Sequence, residues 1–499
     1  MLIPIGDIPR WYAQRKAAGT VAVRHGNAAL TWSQLEANAN RRARAFAAFG
    51  VQAGDFVAIG LPNGNEFFET TFAIWKLGAT PTSLSPKLPR GEVTQILDIL
   101  KPALVIGGEA DWNAPKSVPK TFTPMGVTDD AVEGPIARYW KAMTSGGSTG
   151  RPKIILDHMP AIVDTDAISL RIEPGSTLLN PGPLYHNAPF SVCHTGLFSG
   201  GELVGMTHFD AAEALRLIEK HRVNWVNYVP TMMHRIWSLP ETERNGRDLS
   251  SLRTVFHMAA LMPAWLKEKW IEWLGPERIY ELYGGTERQG RTVISGTEWL
   301  KHRGSVGRPE ESAIRILDEN GRDVPPGQSG EIFFLPESGA GTTYHYIGAE
   351  PNRIEGGWES LGDIGRIDAE GYLYLGDRSA DMILRGGANI YPAEVEAALA
   401  EHPDIMSSVV VGLPHPELGS QTHAIIEIDP AKDAYAVVAS LPKFLGDRLS
   451  KYKHPESYEI AHESYRDDAG KVRRGMLRAE RIGWIEQNRE FRIPAPRNV

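Results

Sequence analysis

The strongest constraint on the fold is an alternation of helical and strand-like segments over roughly the first 290 residues. Residues 31–50, TWSQLEANANRRARAFAAFG, carry apolar side chains at helical spacing and end on Gly50, a common helix stop. The strand-like DFVAIGLP follows, then a second amphipathic helix, NEFFETTFAIWKLGA, and the short buried strand PALVIGG. This alternation predicts an α/β fold with helices on both faces of a sheet.

The pattern changes after residue 304, where short β segments such as GEIFFL and GYLYLG are separated by Gly and Pro turns. After Gly376 come a strand, DMILRGG, a helix, PAEVEAALAEHP, two strands, SSVVVGLP and THAIIEID, a helix, LPKFLGDRLS, and a last strand, ESYEIAH. A chain of 499 residues is too long for one ordinary core. We predict a large N-terminal α/β domain, residues 1–376, with mixed sheets and a small β-barrel-like part, and a small mobile α+β domain, residues 377–499.

Charge and composition exclude several classes of protein. The net charge of −8, from 53 basic and 61 acidic residues, argues against a nucleic-acid-binding protein. The single cysteine, Cys193, leaves no intramolecular disulfide and is typical of a small buried hydrophobic residue. No apolar run reaches the ~20 residues of a membrane span, and the start lacks a secretory signal pattern. We therefore expect a cytoplasmic protein that binds small molecules.

Residues 143–153, MTSGGSTGRPK, combine three glycines and four hydroxyls with a following arginine and lysine. GGSTG formally fits the nucleophile elbow of serine hydrolases around Ser148, but that motif needs a helix directly after it, and here Pro152 and the strand-like KIILDH follow. The Gly-Lys-Ser/Thr ending of a Walker A loop is absent. Since glycine lets backbone N–H groups approach an anion and Lys153 adds a charge, a phosphate cradle is favoured over a hydrolase or a linker.

Four further motifs follow this loop in order. They are YGGTE at Tyr283–Glu287, GDIG around Asp363, LGDRSADMILRGGANIYPAEVE from Leu375, and GKVRR from Gly470. Together with the loop they resemble the motifs of the adenylate-forming superfamily of acyl-CoA synthetases, luciferases and peptide-synthetase adenylation domains. The resemblance covers essentially the whole chain.

The resemblance implies a site for ATP and Mg²⁺. The phosphates would be bound by the loop, that is by Thr144, Ser145, Gly146, Gly147, Ser148, Thr149, Gly150 and Lys153. The adenine would lie against Tyr283, beside Gly284, Gly285, Ala259 and Ala260. Thr286 would contact the α-phosphate, Glu287 would hold Mg²⁺, which prefers a carboxylate plus phosphate oxygens, and Asp363 and Arg378 would bind the ribose.

The resemblance also implies a C-terminal domain that rotates between two half-reactions. Lys471 would reach the oxygen between the acyl carboxylate and the α-phosphate during adenylation. The usual Pro-Arg-Thr before this lysine is Tyr465-Arg466-Asp467 here. We expect the hinge within Asp377–Asp381, where Ala380 replaces the common Asp or Lys. After rotation Gly386 and Gly387 would line the path of the pantetheine arm of coenzyme A.

PGPLYHNAPF resembles the family segment that gates the acyl site, with His186 as the gate. Peptide-synthetase domains carry an aspartate in this segment, and none lies between Pro183 and Phe190, so we expect a carboxylic acid rather than an amino acid. An aromatic and methionine-rich wall suits a bulky apolar acid of the bile-acid type. The predicted wall residues are Asn187, Tyr228, Met232, Phe256, His257, Met258 and Gly284.

The predicted function is therefore that of an AMP-forming carboxylate–CoA ligase that uses ATP, Mg²⁺ and coenzyme A. Lys471, His186, Thr286 and Glu287 are its predicted catalytic residues. An amide synthetase, in which an amine replaces coenzyme A, shares the first half-reaction and stays open. A Ser148 hydrolase leaves YGGTE unexplained, and an inactive binding protein leaves Lys471 and Glu287 unexplained. The oligomeric state is open, a homodimer included.

Overall fold

The computed structural model describes residues 1–107, 112, 116–146, 152–378, 381–385, 388–467 and 470–496. A large body of mixed sheets and helices is followed by a smaller α+β domain, which confirms the predicted fold class. The predicted domain boundary, between residues 376 and 377, stays a prediction. Residues 379–380, inside the predicted hinge Asp377–Asp381, lie outside the described residues.

The first sheet has the strand order β9-β8-β5-β4-β6-β7, parallel except for the antiparallel pair β8 and β9. Both predicted helices are confirmed as α2 and α3. A capping box at Thr31 and Gln34 starts α2. The elements of this part of the chain are β1 (Leu2–Pro4), α1 (Ile8–Arg15), β2 (Val21–His25), β3 (Ala28–Thr31), α2 (Trp32–Ala48), β4 (Phe56–Gly60), α3 (Asn65–Lys76), β5 (Thr80–Ser83), α4 (Arg90–Leu100), β6 (Leu104–Gly107), β7 (Ser117–Val118), β8 (Ala142–Gly146), β9 (Pro152–Asp157) and β10 (Ile162–Asp164).

A second sheet is built mainly from residues 177–300. Its elements are β11 (Thr177–Asn180), α5 (Asn187–Phe198), β12 (Glu202–Gly205), α6 (Ala211–His221), β13 (Trp225–Tyr228), α7 (Pro230–Trp237), α8 (Glu241–Arg244), β14 (Thr254–His257), α9 (Ala264–Leu274), β15 (Ile279–Gly284), β16 (Arg291–Ser295) and α10 (Gly296–Trp299). The strand order is β16-β15-β14-β13-β11-β12-β2-β3, with β13, β14 and β15 parallel. Because parallel strands end at one edge, the segments after these three strands meet there, where α/β proteins bind ligands.

Antiparallel strands after residue 304 form the part predicted as barrel-like. They are β17 (Ser305–Glu310), β18 (Ser312–Leu317), β19 (Gly330–Pro336), β20 (Tyr344–Ile347), β21 (Asn352–Arg353), β22 (Glu359–Ile367) and β23 (Leu373–Arg378). The order β18-β19-β22-β23-β17 continues the second sheet through β16. Strand β20 leaves this set and pairs antiparallel with β9 of the first sheet, so that it links the two sheets next to the predicted phosphate loop.

The C-terminal domain packs helices on a sheet of order β26-β27-β28-β29. Its elements are β24 (Ile383–Arg385), β25 (Ala388–Ile390), α11 (Pro392–Leu399), β26 (Ile405–His415), β27 (Gly419–Ile428), α12 (Ala434–Gly446), β28 (Ser457–Ile460), α13 (Arg474–Glu486) and β29 (Ile493–Pro494). The helix predicted over residues 441–450 is observed as α12, which begins at Ala434 and ends at Gly446, so both ends lie earlier in the chain than predicted. Asp433 caps it by accepting from the backbone N–H of Tyr435, and the Ala and Val run after the cap is helical as well.

Candidate active site

A large cavity of about 1790 Å³ lies where the C-terminal domain faces the large body. The large body contributes Tyr283, Glu287 and Asp363 to its wall, and the C-terminal domain contributes Arg466 and Lys471. The motifs that are scattered over the sequence therefore converge on one cavity. This is the default location of an active site.

The hairpin of β8 and β9 carries the predicted phosphate loop. Thr144 pairs with Ile154, Ser145 with Lys153, and Gly146 with Pro152 in strand register. The remaining predicted loop residues, Gly147, Ser148, Thr149 and Gly150, lie outside the described residues. A strand, and not a helix, follows the loop, so the structural context of a nucleophile elbow is absent.

Lys153 projects from the start of β9 toward Glu287. Its Nζ lies 3.5 Å from Glu287 Oε1 and 3.8 Å from the centroid of the Tyr346 ring. The Tyr346 hydroxyl donates to the same Oε1 at 2.7 Å, and the Thr343 hydroxyl donates to the Glu287 backbone carbonyl at 3.0 Å. Lysine and tyrosine thus both contact the Oε1 atom of Glu287.

Glu287 fits the magnesium role that the sequence predicts. Its side chain is only 7% exposed, yet it lines the cavity. Among the described residues no group of three His, Cys, Asp or Glu side chains could hold a metal ion without help. A single carboxylate fits an ion that takes its other ligands from phosphate oxygens and water, as Mg²⁺ does in nucleotide sites.

The sequence does not predict Tyr346 as a residue of the site. Tyr346 belongs to none of the motifs and reaches the site only through the pairing of β20 with β9. Burial, and then the neighbouring Glu287 carboxylate, raise the pKa of the Tyr346 hydroxyl. The hydroxyl therefore keeps its proton at neutral pH and acts as a donor to Glu287.

Replacing Tyr346 with phenylalanine is expected to raise the MgATP concentration for half-maximal rate by roughly three- to tenfold. The reason is that a hydrogen bond to a charged group contributes about 1.5–3 kcal/mol, and part of it is replaced by water. Steady-state kinetics at varied MgATP measure the effect, with the exposed Tyr435→Phe as the matched control. Equal values for the two variants would show that this hydroxyl does not support the nucleotide site.

The residues predicted for the nucleoside also come together. The Tyr283 hydroxyl donates to Asp363 Oδ2 at 2.8 Å, and Asp363 pairs with Arg378 in the register of β22 and β23. Gly284 and Gly285 line the cavity. A Cβ on Gly285 would lie 2.5 Å from Leu361 Cδ1, so a side chain there would displace Leu361.

Ala259 and Ala260, also predicted at the nucleotide, line the cavity after β14. Ala259 has a φ of +76°, a left-handed conformation that favours glycine. Backbone strain of this kind is typical of residues at functional sites.

Lys471 enters the cavity from the C-terminal domain. It follows Gly470, whose φ of +75° gives the turn its shape. The Lys471 backbone N–H donates to Asp467 Oδ1 at 2.9 Å. Asp467 Oδ2 lies 3.4 Å from His186 Nε2, the predicted gate of the acyl site. The segment that replaces Pro-Arg-Thr therefore contacts the acyl side of the cavity.

A second contact between the domains lies nearby, since Arg473 donates through both guanidinium Nη atoms to the Glu92 carboxylate, at 2.8 and 3.1 Å. The orientation of the C-terminal domain in this structure therefore points Lys471 at the large body. The resemblance implies that Lys471 acts from such an orientation during adenylation. Gly386 and Gly387, expected to face the site in the other orientation, lie outside the described residues.

On the acyl side, His186 precedes α5, and Asn187, Met232 and Met258 line the cavity as predicted for wall residues. Tyr228, Phe256 and His257 do not line it, which corrects the predicted wall. All three are buried in the core. Phe256 stacks between Trp225 and Tyr280, with ring centroids 5.7 and 5.3 Å away.

The corrected residues lie inside parallel strands whose two faces are both covered, so their side chains pack in the core instead of facing solvent. His257 lies in a buried group with Lys267, whose Nζ donates to the Glu281 carboxylate. Burial, and then the Lys267 charge, keep the pKa of His257 well below its usual value. His257 is therefore a neutral residue of the core.

Residues 10–137 and 141–343 match the AMP-binding enzyme family, and residues 394–471 match the AMP-binding enzyme C-terminal domain. The chain belongs to the AMP-binding enzyme family. The predicted superfamily is thereby confirmed. The expectation of an AMP-forming acid–thiol ligase that uses ATP, Mg²⁺ and coenzyme A agrees with relatives that are named as CoA synthases and CoA ligases, and with a related structure that was solved with ATP and a magnesium ion.

Relatives of this AMP-binding enzyme include feruloyl-CoA synthase from Amycolatopsis sp, which is 32% identical over 487 residues, 93% of this chain and 96% of the relative. The o-succinylbenzoate CoA synthetase of Bacillus subtilis, solved with its acyl-adenylate intermediate, has the same fold with a TM-score of 0.79 and 24% identity, covering 96% of this chain and 98% of that chain. An amide bond synthetase from Marinactinospora thermotolerans has a TM-score of 0.76 and 23% identity, covering 96% and 100%.

A further feature of this AMP-binding enzyme agrees with the sequence-based expectation. Cys193 is buried, and burial raises the pKa of its thiol, as expected for a residue of the core. In the part of the chain that the structure describes, no helix has both the length and the apolar character to cross a membrane.

Proposed function

We propose that this protein is a carboxylate–CoA ligase that adenylates a largely apolar carboxylic acid and then transfers the acyl group to coenzyme A. The observation that carries the proposal is the convergence of Glu287 with Lys153, Tyr283 with Asp363, and Lys471 on one cavity. The family membership and the 32% identity to a feruloyl-CoA synthase support the same conclusion.

In the first half-reaction a carboxylate oxygen of the acid attacks the α-phosphorus of ATP, and the bond to pyrophosphate breaks. Both reactants are anions, so catalysis consists of positioning and charge neutralisation. Lys471 would neutralise the oxygen that comes to bridge the acyl group and the α-phosphate, and Lys153 the departing phosphates. Glu287 would hold Mg²⁺, which supplies positive charge to the phosphate oxygens when bound.

The nucleoside would be bound by the pair of Tyr283 and Asp363. The Asp363 carboxylate accepts from the Tyr283 hydroxyl and would also accept from ribose hydroxyls. The Tyr283 ring offers a face to the adenine. In the second half-reaction the thiolate sulfur of coenzyme A attacks the acyl carbon, a thioester bond forms, and AMP leaves with the electrons of the broken carbon–oxygen bond.

Apolar parts of the acid would lie against Trp140, Val192, Phe198, Met232 and Met258, which all line the cavity. Such a wall of aromatic, branched and methionine side chains binds an apolar body of adaptable shape.

The test of this proposal is product analysis with a panel of carboxylic acids, ATP and Mg²⁺, to which coenzyme A or a primary amine is added. We expect AMP and an acyl-CoA thioester in equal amounts, and no amide. Formation of an acyl-adenylate that is consumed only by the amine would replace the ligase with an amide synthetase. Acid-independent conversion of ATP would contradict adenylation altogether.

A further inference from the structure

A buried lysine of the cavity wall has no role in the reaction described above. Lys141 directly precedes β8 and lines the cavity, although its side chain is only 2% exposed. Its Nζ donates to Asn187 Oδ1 and, at 2.9 Å, to the Ser191 hydroxyl. Both partners also line the cavity. A lysine is rarely buried this deeply unless its charge is used.

The charge of Lys141 is only partly balanced by protein groups. The nearest carboxylate oxygen, Asp157 Oδ2, lies 3.7 Å away, beyond ordinary hydrogen-bond length. Asp157 also accepts from Arg288 Nη1 at 2.9 Å, so a single carboxylate serves two cations. His194, on the neighbouring helix α5, is buried and its pKa is lowered to about 3, so it is neutral and adds no charge. This part of the wall therefore has an excess of positive charge.

The partners of Lys141 continue as a polar strip along the cavity. Asn187, Ser191 and Thr195 follow one another at intervals of four residues on α5, which places them on one face of that helix, and all three line the cavity. The aromatic and aliphatic wall of the acyl side is thus interrupted by a row of hydrogen-bonding groups that leads from His186 past Lys141. A purely apolar acid would leave these groups without a ligand partner.

Lys141 lies at the opposite end of β8 from the phosphate loop. At about 3.3 Å per residue, the five steps from Lys141 to Gly146 span roughly 17 Å between Cα atoms. A group bound by Lys141 is therefore well separated from the phosphates that the loop would hold. This separation assigns the lysine to the acyl portion of the substrate instead of to ATP.

Resting on the proposed ligase function, we infer that the acid carries an oxygen acceptor remote from its reacting carboxylate, and that Lys141 binds this oxygen. A hydroxyl, a carbonyl or a second carboxylate each has an oxygen that accepts a hydrogen bond from the ammonium group. The substrate class is therefore an acid with an apolar body and a polar far end, selected by Lys141 together with the strip of Asn187, Ser191 and Thr195.

The experiment compares four acids of one shape in acid-dependent exchange of pyrophosphate into ATP: cinnamate and its 4-methyl, 4-hydroxy and 4-carboxy derivatives. For the wild type we expect kcat/KM for at least one of the two oxygen-bearing acids to exceed that of the methyl acid tenfold or more, since a site built for a polar group rejects the analogue that lacks it. The 4-hydroxy and 4-carboxy arms distinguish a hydroxyl from a carboxylate as the preferred acceptor. Equal kcat/KM values across the series would overturn the inference.

Lys141→Met keeps the length of the side chain and removes its charge. We expect this variant to reduce the ratio of kcat/KM between the preferred oxygen-bearing acid and the methyl acid to about threefold or less. If kcat/KM falls by the same factor for every acid, so that the ratio between the acids is unchanged, Lys141 is instead a structural residue or a partner of the reacting carboxylate. The exposed Lys269→Met is the matched control, and ATP binding by calorimetry verifies the folding of both variants.

A pH series on the wild type tests the inference without any variant. Burial lowers the pKa of Lys141 to about 8, with Asp157 opposing the shift and Arg288 adding to it. Because the amine loses its charge as the pH rises through this value, the preference for the 4-carboxy over the methyl acid should fall between about pH 7 and 9. A constant preference over that range would contradict the role of Lys141. If no carboxylic acid supports exchange under any condition, the ligase proposal fails and the inference that rests on it fails too, whereas equal kcat/KM values across the series overturn the inference alone.

Discussion

Replacing Lys471 with alanine is expected to slow adenylate formation by about 10²–10³-fold, the size of effect seen when one group that stabilises a developing charge is removed. Lys471 lines the same cavity as His186 and Glu287, although it belongs to the other domain. Its charge is needed where two anions react, and no other lysine of the C-terminal domain lines this cavity among the described residues. Acid-dependent exchange of pyrophosphate into ATP measures the loss.

The same variant should still bind ATP and should convert a supplied acyl-adenylate to the thioester at close to the wild-type rate, because Lys471 acts in one half-reaction only. Lys432→Ala is the matched control: it removes a lysine of the same domain whose partner, Asp404, lies 2.9 Å away and outside the cavity wall. An exchange rate for Lys471→Ala equal to that of the control would remove Lys471 from the reaction.

The second large effect concerns Glu287→Gln, which keeps the shape of the side chain and removes its charge. It should raise the Mg²⁺ concentration for half-maximal rate by tenfold or more and lower the maximal rate, because magnesium prefers a carboxylate ligand to an amide. Lys153, 3.5 Å from Glu287 Oε1, also loses its ion pair in this variant. Titration of the exchange rate with Mg²⁺ at fixed ATP measures the change.

Glu272→Gln provides the control for this titration, because Glu272 is exposed and pairs with Lys269 on the surface of α9. If Glu287→Gln requires no more Mg²⁺ than this control, the carboxylate is not a ligand of the metal. A fall in rate at unchanged Mg²⁺ dependence would assign Glu287 to holding Lys153 and Tyr346 in place.

Local patterns in the sequence predict the elements that depend on neighbouring residues. The helix after Thr31 is predicted because its apolar spacing and its stop at Gly50 lie within one segment of the chain. By resemblance, Tyr283 is predicted at the adenine and Asp363 at the ribose, and the structure places the hydroxyl of the first 2.8 Å from the carboxylate of the second. Glycine-rich and acidic motifs can be recognised in a linear sequence because phosphate binding requires these residue types at fixed spacing.

The acyl wall depends on which face of a buried strand each side chain occupies and on what covers that face. The side chains of Tyr228, Phe256 and His257 are of the types expected in a pocket. Because both faces of their sheet are covered, these side chains are part of the buried core instead. Tyr346 reaches the cavity through the pairing of β20 with the distant strand β9, and Lys141 directly precedes β8. No motif contains either residue. The contact of Asp467 with His186 depends on how the two domains are oriented.

The central claim is that this protein activates a carboxylic acid as its adenylate. Exchange of labelled pyrophosphate into ATP, measured with and without the acid at saturating Mg²⁺, tests it most directly. We predict exchange that requires both the acid and Mg²⁺, and that gives way to net formation of AMP and thioester once coenzyme A is added. Exchange that proceeds at the same rate without any acid, or conversion of ATP to ADP in place of AMP, would contradict the claim.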